Sequence, residues 1–379
     1  MNSVEPAADP TARARTRPRG VALRGAFSPV GGAAVLEDAA VVVDAAGVVA
    51  AYGPATVVDL PEGIDVVDGG WVGPALADAH VHLAFGGAAR LRAAGVLAVR
   101  DLGARPDDAR AWRDPDGTQV VTVAGPVLTA PGGYPSRSWG SNGFARFLGS
   151  PGEARRAVAN LATTGVDVIK VALEPGGGLP VPPAPVVAAV VDAAHEAGLR
   201  VTCHALTAEM VTRALDAGAD ELAHVPMERL PTHLVARLAL EQLPVVSTAR
   251  TLMRSGGPQA EGVLGNLRAL VGAGVPLVYG TDLGNEGTSP VVDVGELAVL
   301  AEAGLGPHGA LRAATEGAAR VVSPGGSYTG RVAVGETARI AVLAGDPVAD
   351  PRHWRRPVAV VAGPDVVRPG AEAGSAVHD

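Results

Sequence analysis

Residues 78–82 read Asp-Ala-His-Val-His and lie between two short apolar runs. In an extended strand successive side chains point to opposite faces, so His80 and His82 point one way and Val81 points the other. Two neutral imidazoles on one face can ligate a single metal ion. The same pattern also occurs where two histidines are hydrogen-bonded partners in a core. The stretch therefore predicts a buried strand that ends in a metal site or in a polar core.

Apolar runs of β type alternate with helical patterns from residue 72 to about residue 323. The predicted strands are residues 72–82, 96–101, 120–124, 166–171, 200–204, 221–224, 245–248 and 277–281. Several of the intervening helices end in glycine, which is the usual C-terminal signal. Eight strands alternating with helices predict an α/β fold, a (β/α)₈ TIM-like barrel. An open doubly wound sheet is the alternative, but no Gly-x-Gly-x-x-Gly phosphate loop follows any strand.

The two ends of the chain have β character of their own. Residues 19–71 and 324–379 contain short apolar runs separated by turn residues, and each part is too small to bury a core alone. We expect them to pair as one small β-sandwich domain, with a C-terminal tail, beside a barrel domain at residues 72–323. Residues 1–18 lack the apolar segment of a secretory signal and are predicted to be a disordered N-terminal tail.

Composition excludes several classes of protein. The chain has 379 residues and a formal net charge of −8, which argues against nucleic acid or an anionic membrane as a partner. No apolar run approaches the roughly 20 residues that a membrane span requires. The single cysteine, Cys203, excludes an intrachain disulfide and is typical of a reducing compartment. We therefore expect a cytoplasmic protein.

The use of lysine is unusual. Of the 31 basic residues, only Lys170 is a lysine and the rest are arginines. A buried lysine can lose its proton and act as a nucleophile, whereas arginine in practice cannot. The alternative is that Lys170 is a chance survivor of an arginine-biased composition. A lysine kept in such an arginine-rich background suggests a role that a guanidinium cannot fill.

Six residues with ionisable or metal-binding side chains fall within or at the ends of five predicted strands. They are His80, His82, Lys170, His204, His224 and Asp282. The carboxyl ends of all strands in a barrel meet at one face, where active sites are found. The sequence therefore predicts that the six converge at one mouth. The other five histidines lie in predicted helices or loops, where solvated or structural roles are expected.

Several longer passages match one family. Residues 73–83 and 95–103 resemble the first two barrel strands of the amidohydrolase superfamily of metal-dependent hydrolases. Residues 310–320 resemble the helix that follows the barrel in that family, and residues 334–346 resemble its C-terminal strands. The resemblance covers roughly residues 20–365 and is closest to the imidazolonepropionase-like and prolidase-like branch.

The resemblance implies a site with two divalent metal ions, most often zinc. Lys170 would be carboxylated by CO₂ and bridge the ions, which would explain the single lysine. Asp282 would be catalytic, taking a proton from the water nucleophile and passing it to the leaving nitrogen. Its alternative role is to cap the next element, and the same ligand types also suit manganese, iron or cobalt. The implied ligands are His80, His82, Lys170 and Asp282 for one ion, and Lys170, His204 and His224 for the other.

One loop departs from the family pattern. Relatives commonly have a histidine after the paired glycines that follow strand 3, and this chain has Tyr134. Tyr134 and Arg137 in this loop are therefore candidates for substrate binding, and so is Arg250, to which strand 7 leads. The alternatives are loop packing for Tyr134 and a surface ion pair for Arg250.

Together with the residues, the resemblance implies a binuclear metal-dependent hydrolase that cleaves an amide-type C–N bond of a small molecule, either dipeptide-like or a cyclic amide. An ester, lactone or phosphotriester hydrolase with the same metal site is the second hypothesis, because a fold does not determine its substrate. A non-catalytic binding protein is the third, and the presence of all six residues argues against it. A homo-oligomer is a family-level expectation.

Overall fold

A computed structural model describes residues 20–32, 36–85, 87–113 and 117–369. The predicted N-terminal tail lies outside these residues, as does the end of the C-terminal tail. Strands form a parallel system in the middle of the chain and a separate sheet built from both ends.

The described part of the chain contains seventeen strands. In chain order they are β1 (Val21–Phe27), β2 (Leu36–Val43), β3 (Val49–Pro54), β4 (Asp65–Pro74), β5 (Leu76–Val81), β6 (Val96–Asp101), β7 (Val120–Val123), β8 (Val127–Thr129), β9 (Ala145–Phe147), β10 (Val168–Leu173), β11 (Arg200–Ala205), β12 (Glu221–Leu222), β13 (Val245–Val246), β14 (Leu277–Val278), β15 (Arg339–Leu343), β16 (Ala359–Ala362) and β17 (Asp365–Val367).

The middle strands form the predicted barrel. Strands β5, β6 and β7 pair in parallel, β8 continues the path of β7, and β8, β10, β11, β12, β13 and β14 follow in parallel order. Backbone bonds close the ring between its ends, since the Ala79 N–H donates to the Tyr279 carbonyl at 3.2 Å. Every residue of β5, β6 and β10 is buried, as expected for parallel strands covered on both faces. The TIM-like barrel is thus confirmed.

Helices cover the outside of the barrel. They are α1 (Ala88–Ala93), α2 (Pro106–Ala111), α3 (Pro151–Thr164), α4 (Ala184–Glu196), α5 (Ala208–Asp216), α6 (Thr232–Leu240), α7 (Ala249–Leu252), α8 (Gly257–Gly272), α9 (Val294–Leu300), α10 (Gly306–Arg312) and α11 (Ala318–Val322). Short π-helical turns at Ala301–Leu305 and Ala313–Gly317 join the last three. None of the helices in the described ranges is long and apolar enough to cross a membrane.

Local signals account for the ends of helix α3. The Ser150 hydroxyl accepts a hydrogen bond from the Glu153 N–H, and Pro151 occupies the first turn, where its missing N–H costs nothing. At the other end Gly165 has a φ of 78°, a left-handed conformation that only glycine adopts easily. The chain then turns directly into strand β10.

Both ends of the chain contribute to one further sheet. Its strand order is β17-β16-β15-β4-β1-β2-β3, with β1 and β4 parallel and the other neighbours antiparallel. Residues of β1, β2, β15 and β16 share a separate apolar core. A β domain built from the N- and C-terminal segments is thus confirmed, and the strands of the predicted sandwich form one seven-stranded sheet.

The predicted strand at residues 72–82 is two strands in the structure. Its first residues belong to β4, where Val72 is in register with Val342 of the terminal sheet, and its remainder is β5. Pro74 has no N–H for a ladder and stands at the break. Strand β4 therefore crosses the predicted boundary at residue 71. The limits of the barrel domain and of the β domain stay predictions.

Candidate metal centre

Three predicted ligands form a buried cluster at the carboxyl ends of the first and last barrel strands. The Oδ1 atom of Asp282 lies 3.3 Å from Nε2 of His80 and 3.2 Å from Nε2 of His82. One potential ligand atom from each residue lies within 4.8 Å of the other two. Two imidazole nitrogens and a carboxylate oxygen around one point are suitable ligands for a divalent cation.

Backbone pairing sets this geometry. The Asp282 N–H donates to the His80 carbonyl at 2.8 Å, and the His82 N–H donates to the Leu283 carbonyl at 2.7 Å. Asp282 has a φ of 55°, which is unfavourable for a residue with a side chain. Such strain persists where the surrounding structure enforces it, often at functional sites.

Asp78 joins the same two strands from below the cluster. Its Oδ1 atom accepts the N–H groups of His80 and Thr281, each at 3.1 Å, and its Oδ2 atom accepts the Thr281 hydroxyl at 2.6 Å. Burial raises the pKa of Asp78 to about 7, and these hydrogen bonds oppose the rise. Asp78 is not among the site residues predicted from the sequence, although its two-residue spacing from His80 places both side chains on one face.

His224 and His204 continue a row of imidazoles across the mouth. The ring centroids of His80 and His224 are 4.5 Å apart, and those of His224 and His204 are 4.6 Å apart. His204 lies in β11, and His224 follows β12, the neighbouring parallel strand. Converging strand ends thus bring together histidines that are far apart in sequence.

Protein partners hold one nitrogen of three of these rings. Nδ1 of His80 is 2.9 Å from the Ala223 carbonyl, and Nδ1 of His224 is 2.9 Å from the Thr248 hydroxyl. Nε2 of His204 is 3.1 Å from Oε2 of Glu174. Each bond leaves the other ring nitrogen for a ligand, as is usual for metal-binding histidines.

Burial also keeps these rings neutral. It lowers the pKa of His80 and of His224 well below the ordinary histidine value, and repulsion from Lys170 and from the neighbouring histidines in their protonated forms lowers it further. Burial likewise lowers the pKa of His204, although the Glu174 hydrogen bond opposes it. A neutral imidazole is the form that binds a metal ion.

Lys170 projects from β10 and is 4% exposed. Its Nζ atom is buried and has no hydrogen-bond partner among the described residues. Burial lowers the pKa of Lys170 to about 7, while the charge of Asp282 opposes that change. Burying an amine without a hydrogen-bond partner costs free energy, so this amine is expected to gain its partner from a bound ligand or ion. Together with the imidazoles and the carboxylate, it gives a donor set that fits divalent metal ions.

A buried ion pair lies among the interior side chains of the barrel. Arg100 donates to both carboxylate oxygens of Glu221, with the Nη1–Oε2 distance at 2.9 Å. The charges of both residues act on Lys170, in opposite directions. This pair was not predicted from the sequence, although an arginine within the apolar stretch of β6 is a visible signal for a buried charge.

A buried carboxylate also fixes the backbone of the segment that contacts His224. Glu296 accepts the N–H groups of Ala249 and Arg250, at 2.9 and 2.8 Å. These residues follow Thr248, whose hydroxyl contacts His224 and whose φ is 44°. Glu296 was missed because it lies in α9, remote in sequence from the strand it supports.

The three candidate substrate residues have different surroundings. Tyr134 lies over the mouth, with its ring centroid 5.2 Å from that of His204. Arg137 is exposed on the same loop. Arg250 pairs with Asp293, Nη1 to Oδ1, at 2.8 Å. Substrate contact remains a prediction for all three.

A cavity of about 440 Å³ lies beside Glu174, the hydrogen-bond partner of His204. Loops that follow several barrel strands contribute to its walls. The lining includes Glu174, Leu206, Met227, Glu228, Arg229 and Gln259. Charges of both signs therefore line this cavity, and Glu174 connects it to the imidazole row.

The barrel, the terminal sheet and this group of residues define a metal-dependent α/β-barrel enzyme. The model of the amidohydrolase family matches residues 71–368. The chain belongs to the amidohydrolase family, as the sequence predicts. It is therefore a hydrolase that acts on carbon–nitrogen bonds of small molecules, and the family typically uses a divalent metal.

Individual proteins are similar to this chain in sequence or in fold. An uncharacterized protein of Mycobacterium tuberculosis (strain H37Rv) is 30% identical over 285 residues, which cover 66% of this chain and 75% of the relative. A candidate prolidase from Bifidobacterium longum is 26% identical, with a TM-score of 0.78 over 92% of this chain and 94% of that one. A Xaa-Pro dipeptidase with bound methionine in its active site has the same fold, with a TM-score of 0.79 at 19% identity over 92% of this chain and 100% of that one.

Proposed function

We propose that the protein is a binuclear metallohydrolase that cleaves an amide-type C–N bond of a small molecule, linear and dipeptide-like or cyclic. The observation that carries the proposal is the buried amine of Lys170, which has no hydrogen-bond partner among the described residues and interacts electrostatically with Asp282 and His80. A site for a single ion needs only the His80, His82 and Asp282 cluster, and the remaining donors would be unexplained.

The six side chains divide into two ligand sets that share Lys170. The short distances from Asp282 to His80 and His82 support the first set, and the contact between the rings of His204 and His224 supports the second. The ions are proposed to be Zn²⁺, since neutral imidazoles and carboxylates are common zinc ligands. The two sets are His80, His82, Lys170 and Asp282 for one ion, and Lys170, His204 and His224 for the other.

Lys170 is proposed to be carboxylated. A pKa of about 7 leaves much of its amine neutral near neutral pH, so the nitrogen lone pair can bond to the carbon of CO₂. The nitrogen loses a proton in this step, and the product is a carbamate with two oxygens. One oxygen for each ion would make the side chain a bridge, which a guanidinium cannot form.

When bound, the two ions would acidify a water molecule and polarise the substrate carbonyl. Asp282 lies against His80 and His82, where its carboxylate can accept the proton of that water and deliver it to the leaving nitrogen. The names of the solved structures, a candidate prolidase and a Xaa-Pro dipeptidase, support an amide bond as the target.

We also propose a cytoplasmic location, with a small molecule as the partner and no nucleic acid. The net charge of −8 and the single buried cysteine support this proposal. A homo-oligomer remains the family-level expectation.

Metal content per chain tests the proposal, measured by elemental analysis after purification with bicarbonate and zinc. We expect about two ions in the wild type and at most one in Lys170→Ala, with loss of hydrolysis on a panel of dipeptides and cyclic amides. His195→Asn is the matched control for His204→Asn, because His195 is half exposed and pairs with Asp220 at 3.0 Å. One ion in both wild type and Lys170→Ala would remove Lys170 from the site and contradict the binuclear proposal.

A further inference from the structure

Aromatic residues are rare in this chain but concentrated at the barrel mouth. There are 4 Trp, 4 Tyr and 4 Phe in 379 residues. Phe85 follows β5, and Tyr134, Trp139 and Phe144 lie in the loop between β8 and β9. These four residues, named here the aromatic wall, contact one another and two of the predicted metal ligands.

The wall is continuous with the first ligand set. The ring centroid of Trp139 is 4.9 Å from that of His82 and 6.2 Å from that of Phe85. Phe85 stacks on Phe144, with centroids 5.6 Å apart and planes inclined at 28°. A group held against Trp139 or Phe85 would therefore lie beside His82.

Tyr134 links the wall to the second ligand set. Its hydroxyl accepts a hydrogen bond from Nε1 of Trp139 at 3.1 Å, and its ring lies 5.2 Å from that of His204. The indole and the phenol are therefore fixed relative to each other. The wall thus extends across the mouth from one predicted metal position to the other.

Part of the wall is open to solvent. Phe85 is 48% exposed and is one of the few large apolar side chains of this chain that solvent reaches to this extent. Phe144 is already covered by the Arg105 guanidinium, 5.4 Å from its centroid. Aromatic rings pair with other rings in stacked or edge-to-face geometry, which adds to the gain from burial. A ring from a ligand would cover the open part and satisfy this preference.

We infer that the aromatic wall is an apolar subsite that binds a planar ring of the substrate and places the adjacent carbonyl at the metal centre. The substrate class is an amide with an aromatic or heteroaromatic group next to the scissile bond. This inference rests on the proposed function, because it assigns the position of the carbonyl relative to the metal centre.

Ketones test the subsite without turnover, since they have a carbonyl but no C–N bond. Acetophenone, cyclohexyl methyl ketone and acetone would each be titrated into metal-loaded protein and followed by ligand-observed NMR. We expect acetophenone to bind most tightly, and Trp139→Ala and Phe85→Ala to weaken it by about tenfold, the order expected for loss of one aromatic contact and its burial. Acetone binding should not change.

Phe147→Ala is the matched control. Phe147 is 47% exposed, close to the value for Phe85, but its ring pairs with no other aromatic ring in the described ranges. We expect this variant to bind acetophenone like the wild type. Trp139→Phe keeps an aromatic ring and should lose less affinity for acetophenone than Trp139→Ala. It tests the role of the ring even if the alanine variant folds poorly.

Two results would overturn the subsite: equal affinities for acetophenone and cyclohexyl methyl ketone, or equal losses in Phe85→Ala and Phe147→Ala. Hydrolysis is scored separately from ketone binding. If acetophenone binding depends on the aromatic wall but no amide is hydrolysed, only the proposed function is contradicted. Amide hydrolysis that is unaffected by Trp139→Ala, for aromatic and aliphatic substrates alike, would fault only the subsite.

Discussion

Nε2 of His204 lies 3.1 Å from Oε2 of Glu174, so a carboxylate at the end of one barrel strand orients a histidine on the next. Glu174 directly follows β10, the strand that carries Lys170. Burial alone would raise the pKa of Glu174, but the hydrogen bond and charge of His204 lower it overall. The ionised carboxylate holds the Nε2 proton, which leaves Nδ1 of His204 free to bind metal.

We therefore expect Glu174→Ala to weaken binding of the metal ion proposed for His204 by roughly tenfold to a hundredfold, the usual effect of removing a partner of a metal-binding histidine. Metal retention against a competing chelator measures this. Glu228→Gln is the control, because Glu228 lines the same cavity but accepts the Ala208 N–H instead. Equal metal retention in Glu174→Ala and the wild type would show that Glu174 does not orient the ligand.

The Arg100–Glu221 pair predicts a large loss of stability. Their side chains are 2% and 1% exposed, so Glu221→Gln leaves a guanidinium buried without a counter-charge. We expect the free energy of unfolding to fall by about 3–5 kcal/mol in urea denaturation. The Arg237–Asp216 pair is the contrast, with side chains 34% and 64% exposed, and Asp216→Asn should cost at most about 1 kcal/mol. Similar losses in the two variants would contradict the role of burial.

Glu296 predicts a pH dependence of stability. Burial raises its pKa from 4.5 to about 7 in the folded protein, with Asp293 adding to the rise and hydrogen bonds opposing it. The folded state therefore keeps a proton that the unfolded chain has lost. This contribution is fully present below pH 4.5 and is lost as the pH rises through 7.

Urea denaturation between these pH values checks this prediction. The free energy of unfolding of the wild type should fall by up to roughly 3 kcal/mol more than that of Glu296→Gln as the pH rises. Glu286→Gln, an exposed change after the last barrel strand, should leave the wild-type slope intact. Parallel pH curves for wild type and Glu296→Gln would contradict the buried proton.

Asp282→Asn separates proton transfer from metal binding. The amide keeps an oxygen near His80 and His82 but cannot accept a proton, so we expect kcat to fall by about 10²–10⁴-fold. Metal content, measured in parallel, should stay closer to the wild-type value than kcat does. Asp350→Asn changes a surface carboxylate paired with Arg352 and should leave both quantities unchanged. A wild-type kcat in Asp282→Asn would exclude Asp282 as the proton carrier.

Local patterns in the sequence determined much of this architecture. Alternation along one strand places His80 and His82 on one face, and the glycine at residue 165 ends a helix because only glycine adopts its φ of 78° easily. The single lysine was visible from composition alone. These features depend on neighbours in the chain, so their physical causes can be read directly from the order of residues.

Contacts between distant residues were decided only by the tertiary structure. Glu174 reaches His204, Arg100 finds Glu221, and Trp139 lies against His82 because barrel closure brings separate strand ends and loops to one place. Arg250 shows the same limit, since its pairing with Asp293 depends on how α9 packs behind the last strands. A side chain's partner depends on convergence in space, and no period or spacing in the sequence encodes which of many charged or aromatic residues will meet there.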